Sequence, residues 1–160
     1  MEKIKKLIKP KSVLFVCTGN TCRSVMAKGL LLKALLEKNI EGINVESAGI
    51  SVLSGMPPAF EAINVMKKAG IDLCKEKSKP VTKNLLDKSD IVLTMEDMHK
   101  SEILEKFPDT KDKIFLLSEY VSNGNSTREI SDPMGQSFNF YEKTFEEIKK
   151  YIEKLANMFL

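Results

Sequence analysis

The sequence predicts an α/β fold, a three-layer α/β/α sandwich whose middle layer is a four-stranded parallel sheet. Short apolar runs typical of buried strands alternate with longer segments in which apolar residues recur at helical spacing. Strands that alternate with helices form right-handed βαβ units, and such units build a parallel sheet. A length of 160 residues suits a single domain, which we expect over residues 1–160 with a core from about 12 to 157.

The first βαβ unit should begin at residues 12–17, a β-branched apolar run that predicts a buried strand. A helix should then begin at Ser24, because the apolar residues that follow repeat at i, i+3, i+4, i+7 and i+8. These residues are Ala27, Leu30, Leu31, Ala34 and Leu35. Similar apolar runs predict the other three strands at residues 43–46, 90–94 and 113–117. Ligands of such a sheet bind at the carboxyl ends of its strands.

Three further helices complete the pattern. One is predicted at residues 58–69, where Gly70 stands as the C′ residue, and a second at residues 96–107, where Pro108 follows. The last helix should begin near Asn139, because Asn139 and the glutamate three residues later fit a capping box. Its apolar stripe then continues toward the C-terminus.

Charge and composition exclude several classes of protein. The net charge is +3 and the lysines are spread along the chain, which argues against nucleic acid as a partner. The N-terminal lysines precede an apolar run of only five residues, at 13–17, which is too short for a signal peptide, so we expect a cytoplasmic protein without membrane contact. Nucleotide-binding fingerprints are absent from the sequence, and we expect no cofactor.

The three cysteines, Cys17, Cys22 and Cys74, are too few and too far from histidine for a disulfide framework or a zinc site, so no metal is expected. Cys17 stands where the first strand meets the first helix. The connecting loop, CTGNTCRS at residues 17–24, combines a glycine turn with a helix N-terminus and the guanidinium of Arg23. These groups form an anion cradle, and their positive field favours the thiolate of Cys17. The spacing indicates phosphoryl transfer through a cysteinyl-phosphate.

Phosphoryl transfer to a thiolate also requires an acid for the leaving group. Asp132 is the candidate, because it follows a polar loop and precedes Pro133, which restricts the backbone. Each residue also has a structural interpretation. A cysteine at a strand end is often a small buried hydrophobe, and Asp-Pro often begins a helix-entry turn.

These motifs resemble the low-molecular-weight protein phosphatase family over about residues 12–155. The matching segments are VCTGNTCRS at 16–24, ESAG at 46–49, DIVLTM at 90–95 and SDP at 131–133. The resemblance implies the phosphotyrosine protein phosphatase I-like fold, with Cys17 as nucleophile, Arg23 as phosphate clamp and Asp132 as acid and then base. It also implies that Asn20, bonded to Ser47, holds the loop and that Ser24 donates to the thiolate. The remaining phosphate-loop residues are Thr18, Gly19, Thr21 and Cys22.

Two departures favour a branch of that family. Tyrosine phosphatases of the family generally have an aliphatic residue at the position of Thr21 and aromatic residues after Asp-Pro, where this chain has Met134 and Gly135. Thr21, with DPMG at 132–135, SKPVT at 78–82 and EYV at 119–121, resembles the bacterial protein-arginine phosphatases. We therefore expect phosphoarginine on protein substrates, with phosphotyrosine as the alternative. Arsenate reductase and a non-enzymatic phosphate-binding domain are weaker alternatives, because the reductase's further cysteine pair is missing and a binding domain would not need both Cys17 and Asp132.

Four further expectations concern Cys22, Cys74, His99 and the oligomeric state. Cys22 should form a disulfide with Cys17 under peroxide, which would make the enzyme redox-regulated. Cys74 should be a structural or surface residue. His99 should lie solvated on a surface helix, without a role in catalysis. The protein should be a monomer.

Overall fold

The structure, a computed structural model, describes residues 9–160 and contains one parallel sheet of four strands. Residues 1–8, which include most of the N-terminal lysines that were compared with a signal peptide, lie outside the described residues. The strands are β1 (Ser12–Cys17), β2 (Asn44–Gly49), β3 (Ile91–Thr94) and β4 (Ile114–Leu116). Their order in the sheet is β2-β1-β3-β4. All neighbours are parallel, as the sequence predicts.

Helices cover both faces of this sheet. The α-helices are α1 (Arg23–Glu37), α2 (Phe60–Lys68), α3 (Lys83–Lys88), α4 (Asp97–Lys106), α5 (Leu117–Val121) and α6 (Phe138–Met158), and a 3-10 helix spans Pro108–Asp112. Alternate residues of β1 belong to two separate hydrophobic cores. Val13, Phe15 and Cys17 pack with α1, α2 and α6. Leu14 and Val16 pack with α3 and α4. The predicted three-layer sandwich is therefore confirmed. No helix within residues 9–160 has the length and apolar character needed to cross a lipid bilayer.

One predicted boundary is confirmed and two others are wrong. Gly70 has φ +79° and follows α2, where its N–H and that of Ile71 close the last turn, as predicted for a C′ glycine. The last helix is capped by Ser137 instead of Asn139, because the Ser137 hydroxyl accepts from the N–H of Phe140. Strand β2 extends three residues beyond the predicted end at Glu46, because residues up to Gly49 pair in register with β1.

Helices α3 and α5 are absent from the sequence-based prediction. Both are short, and helices of five or six residues carry too few apolar repeats to reveal a period. Thr82 accepts from the N–H of Leu85 and caps α3, so its position is the local signal for that helix. Neither helix changes the architecture of the sheet.

Candidate active site

The loop between β1 and α1 lies at the carboxyl edge of the sheet, as the parallel topology requires. Cys17 is the last residue of β1, Cys22 is the N-cap of α1 and Arg23 is its first residue. The side chain of Cys22 makes no capping hydrogen bond, so no side chain at the N-cap competes with an anion for the first N–H groups of the helix. This arrangement fits an anion cradle.

Asn20 fixes the shape of the loop. It lies at φ 57°, in the left-handed region that asparagine tolerates better than most residues, and it is buried. Its Nδ2 donates to the hydroxyls of Ser24 (2.8 Å) and Ser47 (2.9 Å), and its Oδ1 accepts from the backbone N–H of Lys79 (3.0 Å). The amide therefore ties the loop to β2 and to the segment after α2, and the Asn20–Ser47 contact that the resemblance implies is present.

Ser24 contacts the sulfur of Cys17. The two atoms Oγ and Sγ are 3.0 Å apart, and both residues are buried. Because Asn20 already donates to Ser24 Oγ, the Ser24 hydroxyl proton can be directed to the sulfur. A hydroxyl donor at this position stabilises a thiolate over a thiol.

Arg23 is 1% exposed, and the Nη1 atom of its guanidinium is fixed by two hydrogen bonds. Its Nη1 donates to Glu96 Oε1 (2.6 Å) and to the carbonyl of Ile130 (2.7 Å). Its Nη2 lies 3.4 Å from Thr18 Oγ1 and 3.6 Å from Asp132 Oδ2. A buried arginine is stable only with such partners, and these hold the fork of donors over the loop.

Asp132 is exposed, and its carboxylate lies beside the guanidinium of Arg23. Its Oδ1 accepts from the backbone N–H of Met134 (3.0 Å), and its Oδ2 faces Arg23. Pro133, the next residue, is buried. The structure thus brings Asp132 into contact with Arg23, although 109 positions along the sequence separate them.

The other loop residues line the same cradle or support it. Thr18, Gly19 and Thr21 are partly exposed, and the carbonyls of Thr18 and Thr21 accept from the N–H groups of Ser51 and Ala59. The sulfur of Cys22 lies 3.6 Å from the hydroxyl of Tyr141. Burial raises the pKa of the Cys22 thiol, and it raises the pKa of Tyr141 as well. Cys74 is exposed, as one of the two expected alternatives had it.

Sequence reasoning missed two side chains of the site and was wrong about one of them. His99 is fully buried, not solvated, and its Nε2 lies 2.9 Å from Thr18 Oγ1. Glu96, which pairs with Arg23, received no role in the sequence analysis. Their place in the sequence could have indicated both residues, because they directly follow a predicted strand. Strand β3 ends at Thr94 beside β1, so the residues after it lie near the phosphate loop.

A thiol, a buried guanidinium and a carboxylate around one anion-binding loop are the groups that a cysteine-dependent phosphatase requires. Residues 12–159 match the family model for low molecular weight phosphotyrosine protein phosphatase. The chain belongs to that family.

Three relatives place the chain more closely. It is 38% identical over 147 residues to a protein-arginine-phosphatase of Geobacillus stearothermophilus, with 92% of this chain and 95% of the relative covered. It is 34% identical to a probable low molecular weight protein-tyrosine-phosphatase, EpsP, of Ralstonia nicotianae, with 89% and 92% covered. A solved structure of a YwlE arginine phosphatase mutant, which carries a phosphorylated active-site serine, superposes with a TM-score of 0.87 at 34% identity, covering 91% of this chain and 93% of that one.

Proposed function

We propose that this protein is a protein-arginine phosphatase that hydrolyses phosphoarginine on protein substrates through a cysteinyl-phosphate. The observation that carries the proposal is the chain of contacts around the loop. Ser24 touches the sulfur of Cys17, while Arg23 lies between Glu96 on one side and Asp132 on the other. Nucleophile, clamp and acid are thereby assembled in one place.

The proposed reaction has two steps. The Cys17 thiolate attacks phosphorus while the P–N bond breaks, and the carboxyl of Asp132 gives its proton to the leaving guanidine nitrogen. Asp132, now a carboxylate, then takes a proton from the water that attacks the cysteinyl-phosphate, which releases inorganic phosphate and restores the thiolate. Arg23 stabilises the charge on the phosphoryl oxygens in both steps. The phosphorylated serine in the YwlE structure supports covalent transfer in the family.

The residues at the entrance of the proposed site, Thr21 and Met134, favour a phosphoarginine substrate over phosphotyrosine. Thr21 is a partly exposed residue of the loop that carries a hydroxyl, and Met134, two residues after Asp132, is 55% exposed. A phosphorylated guanidinium carries several N–H donors, which lose hydrogen bonds against an aliphatic wall, whereas a phenyl ring gains from one. Because one relative is named a tyrosine phosphatase, phosphotyrosine is the second candidate.

A panel of matched peptides that carry phosphoarginine, phosphotyrosine or phosphoserine tests the proposal, with arsenate reduction as a parallel assay. We expect phosphoarginine to be hydrolysed with the highest kcat/KM. Cys17→Ser should abolish turnover while keeping phosphate binding, and Asp132→Asn should lower kcat by on the order of 10²-fold. A preference for phosphotyrosine would select the second candidate, arsenate reduction would select the reductase, and silence in every assay would select a phosphate-binding domain.

Redox control is part of the proposal. Cys17 and Cys22 share the short loop and both are buried free thiols. Peroxide would oxidise Cys17 to a sulfenic acid, and Cys22 would displace water to give a disulfide, so that one peroxide and two thiols yield the disulfide and two waters. The burial that raises the pKa of Cys22 slows this second step. Peptide mapping after mild peroxide tests it, and Cys17 sulfinic acid beside a free Cys22 thiol would contradict it.

We also propose that the enzyme acts as a monomer in the cytoplasm, without nucleic acid or membrane as a partner. A nucleophilic thiol needs a reducing compartment, and the sparse cysteines suit one. A net charge of +3 on 160 residues gives little attraction for polyanions. Light scattering of the purified protein would show the oligomeric state, and fractionation of the source cells would show the compartment.

A further inference from the structure

His99 connects helix α4 to the phosphate loop. It is the third residue of α4, and its ring is completely buried beneath the loop. Nδ1 accepts a hydrogen bond from the backbone N–H of Glu96 (3.0 Å), the N-cap of the helix. Nε2 lies 2.9 Å from the hydroxyl oxygen of Thr18, the residue after the nucleophile. One side chain therefore touches both the helix cap and the active site.

The first of these contacts fixes the tautomer of the ring. A backbone N–H can only donate, so Nδ1 must carry a lone pair. The ring is neutral, because burial, with a smaller contribution from the Arg23 charge, lowers the pKa of His99 to about 4. A neutral imidazole with a lone pair on Nδ1 has its proton on Nε2. His99 therefore donates to Thr18 Oγ1.

The direction of that bond decides where the Thr18 hydroxyl proton lies. Thr18 Oγ1 accepts from His99 Nε2 at 2.9 Å and from Arg23 Nη2 at 3.4 Å, which occupies both lone pairs of the oxygen. Among residues 9–160, this hydroxyl makes no hydrogen bond besides these two, in both of which its oxygen is the acceptor. Arg23 Nη2 also lies 3.6 Å from Asp132 Oδ2, so the Thr18 hydroxyl and the Asp132 carboxylate contact the same guanidinium nitrogen. A phosphoryl oxygen held by Arg23 would be the acceptor.

We propose that Thr18 is a phosphoryl-binding donor and that His99 is the positioning residue that aims its hydroxyl into the cradle. This inference rests on the phosphatase proposed above, since it assigns a role to a residue of the same loop. Helix capping by His99 alone is the competing explanation. It predicts a loss of stability without any coupling between His99 and the Thr18 hydroxyl.

A double-mutant cycle separates the two explanations. Thr18→Val removes the donor and should weaken inhibition by inorganic phosphate by about 10-fold, whereas Thr18→Ser should keep it. His99→Leu should weaken phosphate binding by a similar factor in the wild-type background and by less than about 2-fold in the Thr18→Val background. His99→Gln should restore binding, since a glutamine can accept from the cap and still donate. Ser101→Ala, an exposed change on α4, is the control.

Additive effects of Thr18→Val and His99→Leu would overturn the inference, as would a Thr18→Ser protein that binds phosphate no better than Thr18→Val. These measurements use inorganic phosphate, so they remain informative if no phosphopeptide is hydrolysed and the proposed function fails. Conversely, an active phosphatase with additive effects would refute only the roles of Thr18 and His99.

Nitrogen-15 NMR of the wild-type protein gives an answer that needs no variant to fold. The chain contains one histidine, so its ring signals need no assignment among several. We expect a proton on Nε2 and none on Nδ1 at neutral pH, and a shift of the Nε2 signal when phosphate is added. A proton on Nδ1, or a ring that does not respond to phosphate, would contradict the proposed hydrogen-bond direction.

Discussion

Replacing Gly49 by alanine should damage catalysis more than it damages the fold. Gly49 ends β2 directly against the phosphate loop, where its N–H and carbonyl both bond to the segment around Pro80. A Cβ atom added there would lie 2.5 Å from the carbonyl oxygen of Thr18, 2.5 Å from a methyl of Val52 and 3.0 Å from the backbone nitrogen of Asn20. The methyl belongs to a side chain that can move, but the Thr18 and Asn20 atoms belong to the backbone of the loop, which cannot rotate away.

The size of the effect follows from these distances. A Cβ atom makes ordinary van der Waals contact at 3.4–4 Å, so the loop backbone at the Thr18 oxygen must move by on the order of 1 Å. Overpacking of this kind costs about 1–3 kcal/mol of unfolding free energy. A displacement of about 1 Å at a reacting group lowers the rate by about 10²-fold, so we expect kcat to fall by that factor in Gly49→Ala.

Gly29→Ala is the matched control. A Cβ at Gly29, in α1, would lie 2.8 Å from the terminal methyl of Met66 and 3.0 Å from a methyl of Ile71, and neither belongs to the phosphate loop. Chemical denaturation measures both stabilities, and steady-state kinetics with the preferred phosphopeptide measures both activities. A Gly49→Ala enzyme as active as Gly29→Ala would show that the loop does not depend on this close approach.

Three further predictions follow. Thr21→Ile should lower kcat/KM on phosphoarginine and raise it on phosphotyrosine, with a combined swing of about 1–3 kcal/mol; equal losses on both substrates would leave Thr21 without a role in selection. Burial lowers the pKa of His99 from 6.5 to about 4, so the unfolded state binds more protons between these two pH values. The free energy of unfolding should therefore be highest above pH 6.5 and fall by roughly 3 kcal/mol as the pH drops to 4. Denaturation across this range should show a weaker pH dependence in His99→Gln than in wild type. Ser137→Ala should cost about 1 kcal/mol of unfolding free energy through the cap of α6, measured in the same way, and leave kcat unchanged.

The phosphate loop could be predicted from sequence because its chemistry is local. Cys17, Asn20, Arg23 and Ser24 lie within eight residues, directly after an apolar strand, and their spacing is fixed by one turn and the start of one helix. The alternation of apolar runs predicted the sheet for the same reason. Each strand, apart from its ends, is visible in its own residues.

Glu96 and His99 could not be recognised in this way, because their importance depends on how distant segments meet. A histidine among charged residues has the composition of a surface helix. Only the pairing of β3 beside β1 turns the first turn of α4 toward the loop and buries the ring. The end of β2 was missed for a similar reason, since Ser47, Ala48 and Gly49 have weak strand propensity and are held by their partners in β1.

The anchoring of Arg23 has an entropic consequence. Fixing an arginine side chain costs up to about 2 kcal/mol in lost rotamers, and here Glu96 and the Ile130 carbonyl fix it before any anion arrives. That entropy is already lost on folding, so in the proposed reaction a phosphoryl group would bind to donors that need no rearrangement. The same rigidity acts on the product, since inorganic phosphate presents the same oxygens to the same donors. We therefore expect the release of phosphate to be slow enough to contribute to the limiting rate of the cycle.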